Sequence, residues 1–161
     1  MALSSTLFKD DLGNSVVPTV IDGRQIVLPS SASFPVINAK SQSIVHYAQT
    51  ASVETTTRAI ESAGKAFKVL KGISVIERRR LLLRAAEIFR NRVDEAVSRD
   101  MAETASIEAW SASFTKTMPD TIEEIATTLS TVFKGEIHNS YSGKTSLVYK
   151  EPVGPVLVIP P

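Results

Sequence analysis

The chain has no cysteine among its 161 residues, so it carries no disulfide, no thiolate nucleophile and no cysteine-rich metal site. That absence fits a reducing compartment, and a cytoplasmic location is the expectation. The two histidines, His46 and His138, have no second ligand at helical spacing, which leaves no metal motif. No Gly-x-Gly occurs among the seven glycines, so the commonest dinucleotide fingerprint is missing. No stretch approaches the ~20 apolar residues of a membrane helix, and Met1 to Asn14 lacks a basic region followed by a long apolar core. Neither sign of charge dominates: 18 Lys and Arg face 17 Asp and Glu, for a net charge of +1. Bulk attraction to nucleic acid or to an anionic membrane is thereby excluded.

What is present is an ordinary globular composition, 43% apolar and 22% charged, sufficient for one domain with a core. Two β-rich runs, Val16 to Ile21 and Arg24 to Val27, flank Asp22-Gly23, a dipeptide suited to a two-residue hairpin turn. Pro18 assigns its strand to an edge. Phe34 to Asn38 and Ser43 to Gln49 form a second predicted pair around the turn Ala39 to Gln42, so the opening is expected to be antiparallel. From Ser52 the period becomes helical: Ala59, Ala63, Ala66, Phe67 and Leu70 share a face that Gly72 ends. Ser74 and Glu77 have capping-box spacing, and Leu82, Ala85, Ala86, Phe89, Val93, Ala96 and Val97 carry a second helix, bent near Asn91, toward Met101. A third helix is expected from Ser106 to about Thr117. A fourth begins at Pro119 and runs through Ile122, Ile125, Ala126, Leu129, Val132 and Phe133 to Gly135. After a polar loop, His138 to Lys144, the alternation of Thr145 to Lys150 predicts a half-exposed strand. Val156 to Ile159, without alternation, predicts a strand buried on both faces.

Several residue groups invite chemistry and fail on context. Gly143-Lys144-Thr145 ends a Walker A pattern, but His138 stands where the first glycine belongs and a strand follows where a helix should, so a surface turn is expected. No Gly-x-Ser-x-Gly elbow activates any serine. Asp94/Glu95 and Glu123/Glu124 are adjacent pairs that point apart on a helix and are read as solvated charges. Arg78, Arg79, Arg80, Arg84 and Arg90 form the basic cluster; consecutive arginines spread around a helix, which favours salt bridges over a nucleic-acid groove. Trp110 and Phe114 make an apolar helix pair for a core or an interface.

Four stretches together carry a family resemblance: Ile21-Asp22-Gly23-Arg24 with Phe34-Pro35-Val36-Ile37-Asn38; Arg58-Ala59-Ile60 through Ala66-Phe67; Arg78 through Ala86 with Met101-Ala102-Glu103-Thr104; and Glu151-Pro152-Val153-Gly154-Pro155 followed by Val156 to Pro160. From about Val20 to Pro161 the chain resembles the N-terminal portion of the NAD(P)-dependent aldehyde dehydrogenase superfamily. Met101 to Thr104 with Trp110 looks like the branch acting on aromatic aldehydes such as salicylaldehyde. Ala105 departs from the family, in which many members carry Gly after Glu-Thr.

The resemblance implies an α/β fold: antiparallel strands and helices of an aldehyde dehydrogenase-like fold, ending at the first strand of an incomplete Rossmann-like cofactor domain. The expected divisions are a flexible N-terminus over 1–15, the strands and helices of the cofactor-domain half over 16–144, an oligomerisation-type strand over 145–152, and the first Rossmann-like strand over 153–161. In the family a thiolate attacks the aldehyde, an Asn and a backbone N–H hold the oxyanion, hydride passes to NAD or NADP, and a Glu-activated water releases the acid. No catalytic residue of this chain matches those positions, and the chain alone is expected to be inactive and to bind no cofactor. Ile159, Pro160 and Pro161 match positions whose backbone borders the cofactor. The expected partners are a small aldehyde in the intact family and a second copy or a full-length relative, the latter paired through Thr145 to Lys150; neither nucleic acid nor membrane is expected.

Overall fold

Turn chemistry sets the N-terminal architecture. In the computed structural model, which describes residues 7–139 and 142–159, Asp22 and Gly23 have φ of 53° and 69°, the positive pair that a type I′ turn needs. They join β3 (Thr19–Ile21) to β4 (Arg24–Ile26) in a two-stranded ribbon. Four further strands make the second sheet: β1 (Phe8–Lys9), β2 (Ser15–Val16), β5 (Ser33–Ile37) and β6 (Ile44–Gln49), in the order β1-β2-β6-β5. The predicted β5–β6 hairpin is present, its turn held by Asn38 Oδ1, which accepts from the Lys40 and Ser41 amides.

Two expectations for this part need correction. The run from Val16 to Ile21 is not one strand, because Pro18 has no N–H to continue a ladder; β2 ends before it in one sheet and β3 begins after it in the other. The opening is not wholly antiparallel either, since β2 runs parallel to β6 with Val16 opposite Tyr47. Strand β1 falls inside the stretch 1–15 expected to be flexible.

The helices follow their caps. Ser52 accepts from the Thr55 amide at the start of α1 (Val53–Leu70). The capping box at Ser74 opens α2 (Val75–Arg90): the Ser74 hydroxyl accepts from the Glu77 amide at 3.2 Å, and Glu77 Oε2 accepts from the Ser74 amide at 2.8 Å. The predicted bend at Asn91 is a break, after which α3 (Val93–Thr104) restarts. The third predicted helix is α4 (Glu108–Thr115), and α5 (Met118–Val132) has Pro119 in its first turn, where the missing N–H costs nothing. Helices α2 and α5 make the most extensive helix–helix contact, with Ala86 and Ala126 fully buried. The sheet buries Val16, and Ile21 is buried on the β3–β4 ribbon.

Beyond α5 the chain changes character. The segment expected to be a polar loop from His138 begins instead as β7 (Glu136–Asn139), antiparallel to β8 (Thr145–Val148), with Ile137 opposite Leu147. The Thr145 to Lys150 strand is thus found over its first four residues, with Leu147 55% and Val148 41% exposed. Val156 to Ile159 is not a buried strand: no described strand pairs with it, and its four residues are 70%, 84%, 74% and 82% exposed. A doubly buried strand needs ladder partners on its edges and layers on its faces, and none of the described residues supplies them.

Candidate functional site

Three places concentrate chemistry, and the first joins the sheet to α3. His46, only 6% exposed on β6, has its Nε2 3.7 Å from Glu103 Oε1 in the last turn of α3. Beside it Asn38 Nδ2 donates to the Ala102 carbonyl at 2.7 Å, so a neutral hydrogen bond and a potential ion pair tie the same turn to the same hairpin. Directly after this turn Ala105 has φ 59° and ψ 22°, the left-handed conformation in which Gly avoids a steric penalty. Sequence reasoning treated His46 as a plain strand residue and Met101 to Thr104 as a family marker; only the tertiary fold brings them together.

The second place is an apolar groove between α1, α2 and α5, a cavity of about 330 Å³ walled by Phe67, Leu82, Leu129, Phe133 and Pro152. Arg78 closes one side. Its Nη2 donates to the Leu70 and Lys71 carbonyls at 2.9 and 3.2 Å, and its guanidinium lies 5.1 Å from the Phe133 ring centroid. Arg78 therefore caps the C-terminus of α1 and makes a cation–π contact, a role that the salt-bridge expectation missed. The signal was there: an Arg one turn into α2, just past a tight Gly72 reversal, faces back over the preceding helix end.

Arg90 does meet that expectation, pairing with Asp120 at 3.1 Å and Glu123 at 2.8 Å and so linking the end of α2 to the start of α5. These pairs are partly exposed, so solvent screens them. Hydrogen bonds donated to Glu123 and Asp120 hold the Arg90 guanidinium above its ordinary pKa. The acidic pairs are consequently not all solvated charges: Glu95 also bonds Arg92 and Arg99. The Arg92 bond leads in drawing the Glu95 carboxyl below its ordinary value, with Arg99 adding to it against the opposing effect of burial. Trp110 and Phe114 form an edge-to-face pair, centroids 5.0 Å apart, on the exposed side of α4.

The third place is the C-terminal arm, where the resemblance assigned the cofactor border. Ile159 is exposed at the end of an extended segment, and Pro160 and Pro161 lie outside the described residues. The described residues beside it, Pro155, Val156, Leu157 and Val158, offer backbone groups and apolar side chains. Gly143-Lys144-Thr145 is the predicted surface turn, with Gly143 at φ 74° before β8. Among the described residues no group of three His, Cys, Asp or Glu side chains can hold a metal ion, and no helix is long and apolar enough to cross a membrane.

The α/β arrangement of short sheets, five helices and an exposed ribbon is that of the N-terminal part of an aldehyde-oxidising enzyme fold. Residues 26–161 match the model of the aldehyde dehydrogenase family, and the chain belongs to that family. It is 29% identical over 130 residues to the salicylaldehyde dehydrogenases of Pseudomonas sp. (strain C18) and Pseudomonas putida, covering 80% of this chain and 27% of each relative. The chain thus spans about a quarter of the length of these curated relatives. Among solved structures, the salicylaldehyde dehydrogenase from Pseudomonas putida G7 complexed with salicylaldehyde superposes with a TM-score of 0.76 at 21% identity, over 86% of this chain and 28% of that one. The lactaldehyde dehydrogenase from Escherichia coli gives 0.73 at 22% identity over 78% and 26%. An NAD-dependent benzaldehyde dehydrogenase from Corynebacterium glutamicum gives 0.69 at 23% over 76% and 27%. At such identities these superpositions establish the shared fold.

Proposed function

We propose that this chain represents the N-terminal strand-and-helix portion of an enzyme that oxidises an aldehyde to a carboxylic acid with NAD or NADP, and that residues 1–161 alone are catalytically inactive. One observation carries the proposal: the family match spans 26–161, while the whole sequence has no cysteine to act as the attacking thiolate. The likeness to salicylaldehyde dehydrogenases supports an aromatic aldehyde as the substrate class. The contribution of this chain is structural. The groove walled by α1, α2 and α5 holds Pro152 at the start of the arm, and the backbone of Ile159, Pro160 and Pro161 would border the cofactor. Purified 1–161, supplied with salicylaldehyde and either dinucleotide, is expected to show no dinucleotide reduction; turnover that persists through a further purification step overturns the proposal.

A second reading rests on the β7–β8 ribbon, which carries Ile137 and Leu147 at 72% and 55% exposure, with Tyr149 just after it at 77%. A two-stranded ribbon with apolar side chains in water is marginal by itself and gains from an added strand. In this reading the chain pairs through Thr145 to Lys150 with a full-length relative or with a second copy. Co-purification with a full-length salicylaldehyde dehydrogenase, lost on Leu147→Lys, is the expected result, and equal recovery of both variants overturns it.

A further inference from the structure

We infer that His46 and Glu103 form a proton-operated latch that sets how the end of α3 hands the chain on to α4. His46 lies on β6 at 6% exposure, and its Nε2 stands 3.7 Å from Glu103 Oε1. That separation is too long for a hydrogen bond, so with a neutral imidazole the tie to this turn is the Asn38 bond to the Ala102 carbonyl. A protonated ring changes this. An imidazolium buried without a partner is costly, and in a poorly hydrated setting its attraction to a carboxylate at this range is strong. Closing from 3.7 Å to the ~2.8 Å of a charge-assisted hydrogen bond draws Glu103 toward the hairpin by about 1 Å.

The charged groups around His46 come from α3. Among its sheet neighbours, β2 and β5 carry no ionisable side chain, Lys9 lies on β1 beyond β2, and on β6 itself Tyr47 alternates to the opposite face. On α3, Asp100 stands one turn before Glu103 and accepts from Ser106 at 3.4 Å, while Arg99 is paired with Glu95. Lys40, in the hairpin turn, is exposed. Glu103 is thus the one carboxylate that the described residues bring within 4 Å of the ring. What the latch moves lies in the residues that follow. Ala105 turns the chain at φ 59°, Thr104 Oγ1 donates to the Ser106 hydroxyl at 2.9 Å, and that hydroxyl also bonds Ser111, which is 1% exposed on α4. Helix α4 packs chiefly on α3, so a shift of Glu103 passes through Thr104, Ser106 and Ser111 to the helix that carries Trp110. Proton uptake tightens the joint and proton loss loosens it. An imidazole changes charge between about pH 5 and 8, which is the range over which the latch works. It does not depend on aldehyde chemistry.

Trp110 is the only tryptophan of the chain, and its indole N–H gives one signal in the nitrogen–proton spectrum of the full 161 residues. That signal and the Ala105 amide are expected to shift along one curve between about pH 8 and 5, and the Ala105 amide, after correction for its intrinsic rate, to exchange about fivefold more slowly at the acid end. His138→Gln removes the other imidazole and should leave the curve in place. Glu103→Gln keeps the size of a side chain that is 43% exposed, so misfolding cannot produce its result, and it should flatten the curve. A parent chain without the shift, a shift abolished by His138→Gln, or a shift as large in Glu103→Gln as in the parent overturns the inference.

Discussion

The helical body and the C-terminal arm use the same residue types to opposite ends. In the body Val16, Ile21, Ala86, Val97 and Ala126 are buried, because turns and caps bring one apolar face against another. From Glu136 to Ile159 every described residue except the half-buried Gly154 is exposed, although Ile137, Leu147, Val156 and Leu157 are as apolar as anything in the core. Hydrophobicity thus makes a segment available for burial, and neighbours decide whether burial occurs.

The strongest test of this contrast is steric. Ala86 and Ala126 are fully buried on the two helices with the closest association, so Ala126→Leu adds bulk at a buried helix contact. It is expected to lower stability by about 1–3 kcal/mol, seen as a lower denaturant midpoint with an unchanged slope. Ile137→Ala, which removes a comparable volume from the exposed ribbon, should change stability by less than about 0.5 kcal/mol. Similar losses for both would mean that the arm folds as part of the body.

A smaller effect is expected where the body is strained. Ala105 has a left-handed backbone at the end of α3, a state that costs an L-residue roughly 1–2 kcal/mol. Ala105→Gly relieves that penalty but gives the unfolded chain more freedom, worth about 0.4–1 kcal/mol in the other direction. The net expectation is a gain of about 0.5–1 kcal/mol in thermal or chemical unfolding. A loss would show that the left-handed state carries no strain in this setting.

Local signals in the sequence were faithful at turns and caps that one or two residues determine. Asp22-Gly23, Ser74 with Glu77 and Pro119 each stand where the turn, cap or helix start was expected, while the bend expected at Asn91 is a break. One miss is local, since Pro18 lacks the N–H that would continue a ladder and splits a run between two sheets. The others depend on a distant partner: β2 finds a parallel neighbour in β6, Arg78 reaches back to α1, and His46 meets Glu103 far along the sequence. His138 and Asn139, expected to open a polar loop, instead end β7, whose pairing with β8 lies across the turn. The expectation of a cofactor border at Ile159 rests on family resemblance alone, since nothing in its own chemistry distinguishes it from any exposed apolar residue.

The mildest test uses acid. Three carboxyls of the body sit below their ordinary pKa. The Ser74 amide, followed by its hydroxyl, lowers Glu77 from 4.5; the Arg92 bond leads for Glu95. Burial pushes Asp10 up, but hydrogen bonds from the Asn14 side chain and the Asn14, Leu12 and Gly13 amides bring it below 3.8. A carboxyl lowered in the folded state binds its proton more readily when unfolded, so its stabilisation is complete above the unfolded value and disappears as pH falls through the folded one. The stability that these carboxyls add is therefore expected to be flat above about pH 4.5, the ordinary value for Glu77 and Glu95, and to decline below it. Glu77→Gln keeps a capping-box side chain but removes the titration, so its decline should be shallower than that of the parent chain. An identical slope in the two proteins would mean that the charge on Glu77 adds nothing to its hydrogen bonds, and that the start of α2 is held by capping geometry alone.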